Sequence, residues 1–135
     1  MSTANTSAVT GSKPGQTAKT TVILFSQPPY DGQSSREAID VMLSFAAYGQ
    51  RVQPVFTGNG VFQLVKHQNP AKIGAKSPIK ILSAPGLYGI EKVHIDRDSL
   101  LARGLTARDI FIDYDEVATS EISTLIHHAD QVLIY

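Results

Sequence analysis

One short segment of the sequence, residues 94–98, carries an imidazole and two carboxylates that could bind a metal or exchange protons. If this segment is a β-strand, His94 and Asp96 share one of its faces. Two ligands on one strand do not complete a metal site, and the three other histidines have no ligand spacing relative to them. The segment therefore predicts neither a metal centre nor an acid–base centre, and we expect no cofactor.

The sequence contains no cysteine, which excludes a whole class of mechanisms. A thiolate nucleophile, a persulfide carrier, a disulfide and a thiolate metal site all require that residue. Serine catalysis is no better supported, because Ser26, Ser34 and Ser35 lie outside any G-x-S-x-G elbow. The chain must act through oxygen and nitrogen groups or perform no chemistry of its own.

A second candidate is the turn Gly58-Asn59-Gly60, which directly precedes a short segment predicted to be helical. Backbone N–H groups ahead of a helix can bind an anion or a nucleotide phosphate. The motif matches neither G-x-G-x-x-G nor a P-loop, and glycines before a helix often make a tight turn instead. Together with the loop Gln27–Ser35, this turn leaves a stand-alone module that binds a small anion or a nucleotide open as an alternative.

The elements that would position these residues begin with a continuous apolar, β-branched run over 20–25, which is typical of a strand covered on both faces. Capping-box spacing predicts a helix over 34–48, whose apolar residues cover most of its circumference. Such a helix is expected to pack against the sheet and a second element. Residues 51–57 predict another strand, and Pro54 marks it as an edge or irregular strand because proline lacks a ladder N–H.

Further strands and helices alternate along the rest of the chain, with short helices predicted after Gly60 and from Pro78 to Ala84 and a loop over 67–76. The remaining predicted elements are a strand at Lys92–Ile95, a helix at Ser99–Arg103, a strand at Ile110–Tyr114, a helix at Ser120–Ala129 and a strand at Gln131–Tyr135. This alternation predicts a three-layer α/β fold with about five mainly parallel strands flanked by helices. Ligands of such sheets bind beyond the carboxyl ends of the strands, where both candidate segments fall.

Length and composition indicate one soluble domain over residues 20–135, after a disordered N-terminal extension over residues 1–19. The formal net charge is zero, so we expect no general attraction to nucleic acid or to a membrane. No apolar run approaches the length of a membrane span, and we expect a cytoplasmic protein.

Charge is nevertheless segregated along the sequence. Residues 41–90 contain five basic residues and no acid, whereas residues 91–135 contain nine acids and four basic residues. The segregation is compatible with an ordinary solvated surface. It is also compatible with two patches that contact complementary partner subunits.

Three segments together resemble the DsrE/DsrF/TusC-like proteins of bacterial sulfur relay. They are Pro29-Tyr30-Asp31-Gly32 followed by Arg36-Glu37-Ala38, then Gly60-Val61-Phe62-Gln63-Leu64, and then Asp96-Arg97-Asp98-Ser99-Leu100-Leu101-Ala102-Arg103-Gly104-Leu105. The likeness runs in order from about Thr21 to Tyr135, and the last two segments are most similar to the TusC/DsrF subunit. It implies a DsrE/F-like, flavodoxin-like fold.

The resemblance implies a subunit of a heterohexameric sulfurtransferase that is not catalytic alone. Its expected partners are TusB/DsrH-like and TusD/DsrE-like subunits and a TusE/DsrC-like carrier, without direct contact to nucleic acid. In a TusBCD-type complex sulfur passes toward 2-thiolation of the tRNA wobble uridine, which is our first hypothesis. A DsrF-type role in dissimilatory sulfur oxidation is the alternative.

In this family the relay cysteine belongs to the TusD/DsrE-type subunit, and counting back from Arg103-Gly104 places Asp96 at its position. A carboxylate cannot carry a sulfane sulfur, and its charge would disfavour a nearby persulfide unless a cation such as Arg97 pairs with it. We therefore predict no catalytic residue in this chain. The residues predicted to lie in loops or interfaces are Tyr30, Gly32, Gly58, Asn59, Gly60, Phe62, Arg97 and Ser99.

Overall fold

One sheet of five parallel strands organises the part of the chain that the computed structural model describes, namely residues 19–28, 33–66, 78–83 and 89–135. The strands are β1 (Thr20–Phe25), β2 (Arg51–Phe56), β3 (Val93–Asp96), β4 (Tyr114–Val117) and β5 (Gln131–Ile134). They lie in the order β4-β3-β2-β1-β5, and each neighbouring pair is parallel. The predicted α/β fold is confirmed. Predicted site residues Tyr30 and Gly32, the loop 67–76 and most of the N-terminal extension lie outside the described residues.

Helices on both faces of the sheet connect these strands. The α-helices are α1 (Gln33–Ala47), α2 (Arg97–Ala102) and α3 (Thr119–His128), and the 3-10 helices are Gly58–Leu64, Pro78–Ser83 and Ala107–Asp109. Helix α2 begins two residues earlier than the predicted Ser99 and is closed by Gly104 as predicted, since this glycine has φ +67° and its N–H donates to the Leu101 carbonyl. Across residues 19–28, 33–66, 78–83 and 89–135, no helix is long and apolar enough to cross a membrane.

The position of β2 corrects the prediction made from Pro54. β2 is not an edge strand, because it lies between β1 and β3. The other half of the prediction is right: the pairing is irregular, with an isolated bridge of Val52 to Ile90 and a ladder that resumes at Val55 and His94. The Val52 N–H donates to the Gly89 carbonyl on the β3 side of β2. Backbone groups two residues apart in a strand face the same side, so Pro54 lacks an N–H group on the side that faces β3. The interruption accommodates a proline within the sheet.

The fourth strand also differs from its prediction, since β4 comprises Tyr114–Val117 rather than residues 110–114. The apolar run that suggested a strand instead buries Ile110 and Ile112 from a loop. β4 itself is an edge strand with two exposed acidic residues, a pattern that hydrophobicity alone does not reveal.

Two apolar cores lie on opposite faces of the sheet. The larger core packs α1 and the 3-10 helices against one face, and its buried residues include Phe25, Met42, Phe56, Leu64, Ile79 and Ile95. The smaller core lies under α3 and comprises Val22, Leu24, Val55, Val117 and Ile122. The second element predicted to cover α1 is the helix Pro78–Ser83, since Ile79 belongs to the same core as α1.

Candidate functional site at the carboxyl edge of the sheet

The candidate site forms where β2, β3 and β4 end side by side. Thr57 follows β2, Asp96 is the last residue of β3, and Thr119 begins α3 two residues after β4. Because parallel strands place their carboxyl ends at one edge, these residues come together from distant parts of the sequence. The side chains of β3 alternate, so His94 and Asp96 point to the α3 face while Val93 and Ile95 enter the larger core.

Asp96 is 6% exposed, and both of its carboxylate oxygens accept hydrogen bonds from hydroxyl groups. The Ser99 hydroxyl donates to Oδ2 at 2.6 Å, and the Thr119 hydroxyl lies 3.0 Å from Oδ1. Thr57 Oγ1 is 3.4 Å from Oδ2, a longer and weaker contact. Short hydrogen bonds to a carboxylate are stronger than neutral ones, so these hydroxyl groups hold the buried side chain in one orientation.

Ser99 fixes the direction of this network. Its oxygen accepts the Gly58 N–H at 2.8 Å, and its own proton goes to Asp96. Thr119 has one hydroxyl proton and two carboxylates within reach, since Asp98 Oδ2 lies 3.1 Å from the same oxygen. Thr119 can therefore donate to Asp96 or Asp98, but not to both at once.

Arg97 does not pair with Asp96, which corrects the partner suggested from the sequence. Its Nε donates to Glu116 Oε2 at 3.1 Å in an exposed ion pair. Within the described ranges, Asp96 makes no ion pair, and hydroxyl dipoles hold its charge instead. Arg97 therefore does not supply the paired positive charge that would allow Asp96 to lie beside a persulfide anion.

The short helix predicted after Gly60 is present as a 3-10 helix, but it begins at Gly58 and so includes the glycine turn. Steric crowding explains one of the two glycines. A Cβ atom on Gly60 would lie 1.9 Å from the Phe25 carbonyl oxygen, so no other residue fits without a backbone shift. The Gly58 N–H is bonded to Ser99 and the Gly60 N–H to the Thr57 carbonyl. These two groups are therefore engaged within the protein rather than directed at an anion.

Arg103 and Gln63 attach the rest of this edge to the fold. Arg103 donates to Asn59 Oδ1 and to the Ser99 carbonyl, both at 3.1 Å, and thereby joins α2 to the glycine turn. Gln63 is buried, accepts the Ser35 hydroxyl at 2.7 Å and donates to the Gln27 carbonyl at 2.8 Å. The predicted site residue Phe62 is half-buried in the same 3-10 helix.

His94 differs from Asp96 although the two side chains share a face. Its Nδ1 atom is buried and has no hydrogen-bond partner among the residues that the structure describes. No group of three or more histidine, aspartate or glutamate side chains in the described part of the chain could hold a metal ion.

Most acids of the C-terminal segment have partners within the protein. Glu91, Asp115 and Glu116 form ion pairs with Arg51, Lys92 and Arg97. Asp109, Glu121 and Asp130 accept backbone N–H groups at element ends. Each of these six acids is therefore engaged by a nearby cation or by a backbone N–H group.

Thr57 and Thr119 are the site residues that the sequence did not reveal. Thr57 was visible as the last residue of a predicted strand, and the rule that ligands gather at carboxyl ends could have identified it. Thr119 was hidden because the fourth strand was predicted four residues too early.

Fold and site define a class of protein: a five-stranded parallel α/β domain whose carboxyl edge holds a buried carboxylate and, as the sequence shows, no thiol. The chain belongs to the DsrE/DsrF-like family, whose model matches residues 19–135. The resemblance seen in the sequence is thereby confirmed.

Individual relatives agree with this assignment. The chain is 35% identical over 112 residues to the TusC homolog of Vibrio vulnificus strain CMCP6, covering 83% of this chain and 95% of that protein. It is 37% identical over 94 residues to the intracellular sulfur oxidation protein DsrF of Allochromatium vinosum, covering 69% of each. The fold is similar to the crystal structure of the YchN protein from E. coli, with TM-score 0.68, 14% identity, and coverage of 88% of this chain and 100% of that one.

Proposed function

We propose that this chain is a non-catalytic subunit of a heteromeric, TusBCD-type sulfur-relay complex that serves 2-thiolation of the tRNA wobble uridine. Its partners are a TusB/DsrH-like subunit, a TusD/DsrE-like subunit that carries the sulfur, and a TusE/DsrC-like carrier protein that docks on the assembly. The proposal extends what the TusC and DsrF names of its relatives suggest.

The observation that supports the proposal is that position 96 holds a buried aspartate rather than a cysteine. Asp96 occupies the position assigned to the relay cysteine of catalytic relatives, and no cysteine occurs elsewhere in the chain. Its carboxylate is buried and bound by Ser99 and Thr119 hydroxyls, so it serves the packing of the carboxyl edge. A carboxylate held in this way is neither a sulfur carrier nor a free base.

The exposed surface beside Asp96 is the part that we assign to partner contact. Asn59 and Arg97 are exposed there, and the Arg103 side chain lies half-buried between α2 and the glycine turn. Arginine and asparagine offer several hydrogen-bond donors and acceptors without requiring a reactive group. Loop residues Tyr30 and Gly32, outside the described ranges, belong to the same proposal.

The first experiment isolates the epitope-tagged chain from its native cells. We expect two α/β proteins of similar size to co-purify in equal amounts, and persulfide labelling with a thiol-specific tag to mark a partner only. Isolation of the tagged chain as a stable monomer would contradict the proposal.

The second experiment asks whether the Asp96 carboxylate takes part in the chemistry. A strain that lacks this chain should lose 2-thiolated wobble uridine, and complementation with wild type or with Asp96→Asn should restore it. Asparagine keeps an acceptor oxygen and the side-chain volume but removes the charge. Loss of thiolation in Asp96→Asn, with the complex still assembled, would assign the carboxylate a catalytic role and refute the proposal.

The likeness to DsrF favours one alternative, a subunit for dissimilatory sulfur oxidation. The same deletion strain discriminates between the two pathways. Unchanged tRNA thiolation together with impaired oxidation of stored sulfur would favour the DsrF-type role.

A further inference from the structure

β5 is one of the two edge strands of the described sheet. β5 pairs with β1 on one side, and no described strand lies on its other side. Its sequence, Gln131-Val132-Leu133-Ile134, contains no charged residue and no proline. Edge strands usually carry such residues, because bare edges pair with other chains.

Backbone hydrogen bonds define which groups face outward along β5. The Tyr135 N–H donates to the Leu24 carbonyl, and the Tyr135 carbonyl accepts the Ser26 N–H. Residues two apart in a strand direct these groups to the same side, so Leu133 also bonds to β1. The N–H and carbonyl groups of Val132 and Ile134 therefore point away from the sheet.

The side chains make the same edge apolar. Ile134 is 68% exposed at the outer part of the strand. Val132 is half-buried against the smaller core. An outward row of backbone groups next to an exposed isoleucine is suited to a neutral, extended strand from another chain.

The opposite edge of the sheet is protected. β4 exposes Asp115 and Glu116, which pair with Lys92 and Arg97 across the surface. Two copies of the β4 edge would bring carboxylates together, whereas two copies of the β5 edge would bring together neutral side chains. Like charges directly opposite each other destabilise strand pairs, so charge favours self-pairing at β5 and opposes it at β4.

We infer that the β5 edge pairs antiparallel with the β5 edge of a second copy of this chain across a two-fold axis. A two-fold axis pairs a strand with itself in antiparallel orientation, and each copy contributes the outward groups of Val132 and Ile134. The inference goes beyond the proposed function, because such pairing joins two copies whether or not other subunits are present.

The test uses cross-linking in the native cells, where the full chain and its partners are present. The chain has no cysteine, so Ile134→Cys introduces one thiol at the proposed contact. A short bismaleimide should convert the tagged variant to a species of twice the chain mass. The matched control is Leu101→Cys on α2, because Leu101 is also 68% exposed, and it should stay at the mass of one chain.

A second variant tests the energetics on the purified full-length chain or complex. Ile134→Lys places like charges across the two-fold axis, and we expect the dissociation constant for the pair of copies to rise about tenfold or more in sedimentation experiments. Leu101→Lys should leave it unchanged, and circular dichroism should report native secondary structure for both.

Three outcomes would overturn the inference. Equal cross-linking of the Ile134→Cys and Leu101→Cys variants would indicate random collision. A cross-linked product containing a chain of different mass would assign the edge to another subunit, while leaving the proposed function intact. Finally, failure of Ile134→Cys to cross-link in a complex that contains two copies would exclude pairing at β5.

Discussion

The two faces of the sheet differ in how much apolar surface they bury and in which polar groups they hold. The face under α1 buries two stacked aromatic rings, Phe25 and Phe56, whose centroids are 4.3 Å apart, together with many aliphatic side chains. The face under α3 buries five aliphatic residues and ends in the hydroxyl-bound carboxylate of Asp96. The comparison indicates that the α1 face determines the stability of the fold, while the α3 face sets the chemistry of the carboxyl edge.

The largest effect is expected from Phe56→Ala on the α1 face. Phe56 is fully buried and stacks on Phe25, so its truncation leaves a cavity and removes the ring contact. We expect the free energy of unfolding in urea to fall by about 3–5 kcal/mol. A smaller loss of unfolding free energy in Phe56→Ala than in Ile122→Ala, the variant of the α3 face, would contradict the comparison.

A smaller loss is expected from Ile122→Ala, which truncates the central contact of α3. Ile122 is 7% exposed, and its core has few members and half-buried neighbours that can relax. Truncation of a buried isoleucine costs about 2–5 kcal/mol, and we expect the lower end of this range in the same urea experiment. The exposed Thr124→Ala on the same helix serves as the control.

Asp96→Ala tests the polar end of the α3 face. The substitution leaves the Ser99 hydroxyl without its short acceptor, while Thr119 can still donate to Asp98, and we expect a loss of about 1–3 kcal/mol of unfolding free energy. Asp98→Ala is the matched control, because Asp98 is exposed and bonds to the same threonine. Equal small losses in the two variants would show that the buried network does not stabilise the edge.

Arg97→Ala is expected to change stability by less than about 1 kcal/mol, because the Arg97–Glu116 ion pair is exposed to solvent. The measurement is the urea midpoint at low and at high salt. A larger loss that disappears in high salt would indicate a stronger electrostatic role for this pair than its exposure suggests.

The smallest effect concerns Tyr114, which lies at the rim of the α1 face. Burial, and then the Glu116 carboxylate, raise the pKa of Tyr114 above its usual value. Because the pKa of Tyr114 is higher in the folded than in the unfolded protein, keeping its hydroxyl protonated stabilises the fold. This stabilisation is complete below the unfolded pKa of about 10 and is lost as pH rises through the folded pKa. We expect unfolding free energy to fall less steeply above about pH 10 in Tyr114→Phe than in wild type. Identical slopes for both proteins would refute this assignment.

The sequence was sufficient where one local signal determined the structure. The β-branched run of β1 is buried on both faces, and the glycine after α2 adopts the positive φ that ends the helix. Prediction was wrong where an apolar run packs without forming a strand, as Ile110 and Ile112 do from a loop. The apolar run there indicates which side chains are buried, but it does not indicate which backbone groups pair as a strand of the sheet.

The candidate site was predictable in part. Asp96 and Ser99 were identified because a family motif contains them. The acceptor role of Asp96 toward Thr119 was not, since the two residues are 23 positions apart and only the sheet brings their side-chain oxygens to 3.0 Å. Arg97 was assigned to the wrong partner because it follows Asp96 directly, yet the residue at the start of the helix points toward Glu116 on β4.

The interruption of pairing at Pro54 changes the register between β2 and the chain that leads into β3. Val52 faces Ile90, but three residues later Val55 faces His94, so the chain that leads from Ile90 into β3 contains one residue more than β2 over this stretch. If pairing continued unbroken from Val52 and Ile90 with every residue present, Phe56 would face His94, and Asp96 would enter the aromatic core rather than meet Thr119. The extra residue between Ile90 and Val93 therefore lets Ile90 pack on the larger core while Asp96 lies on the α3 face, although strict alternation would put these two side chains on the same face.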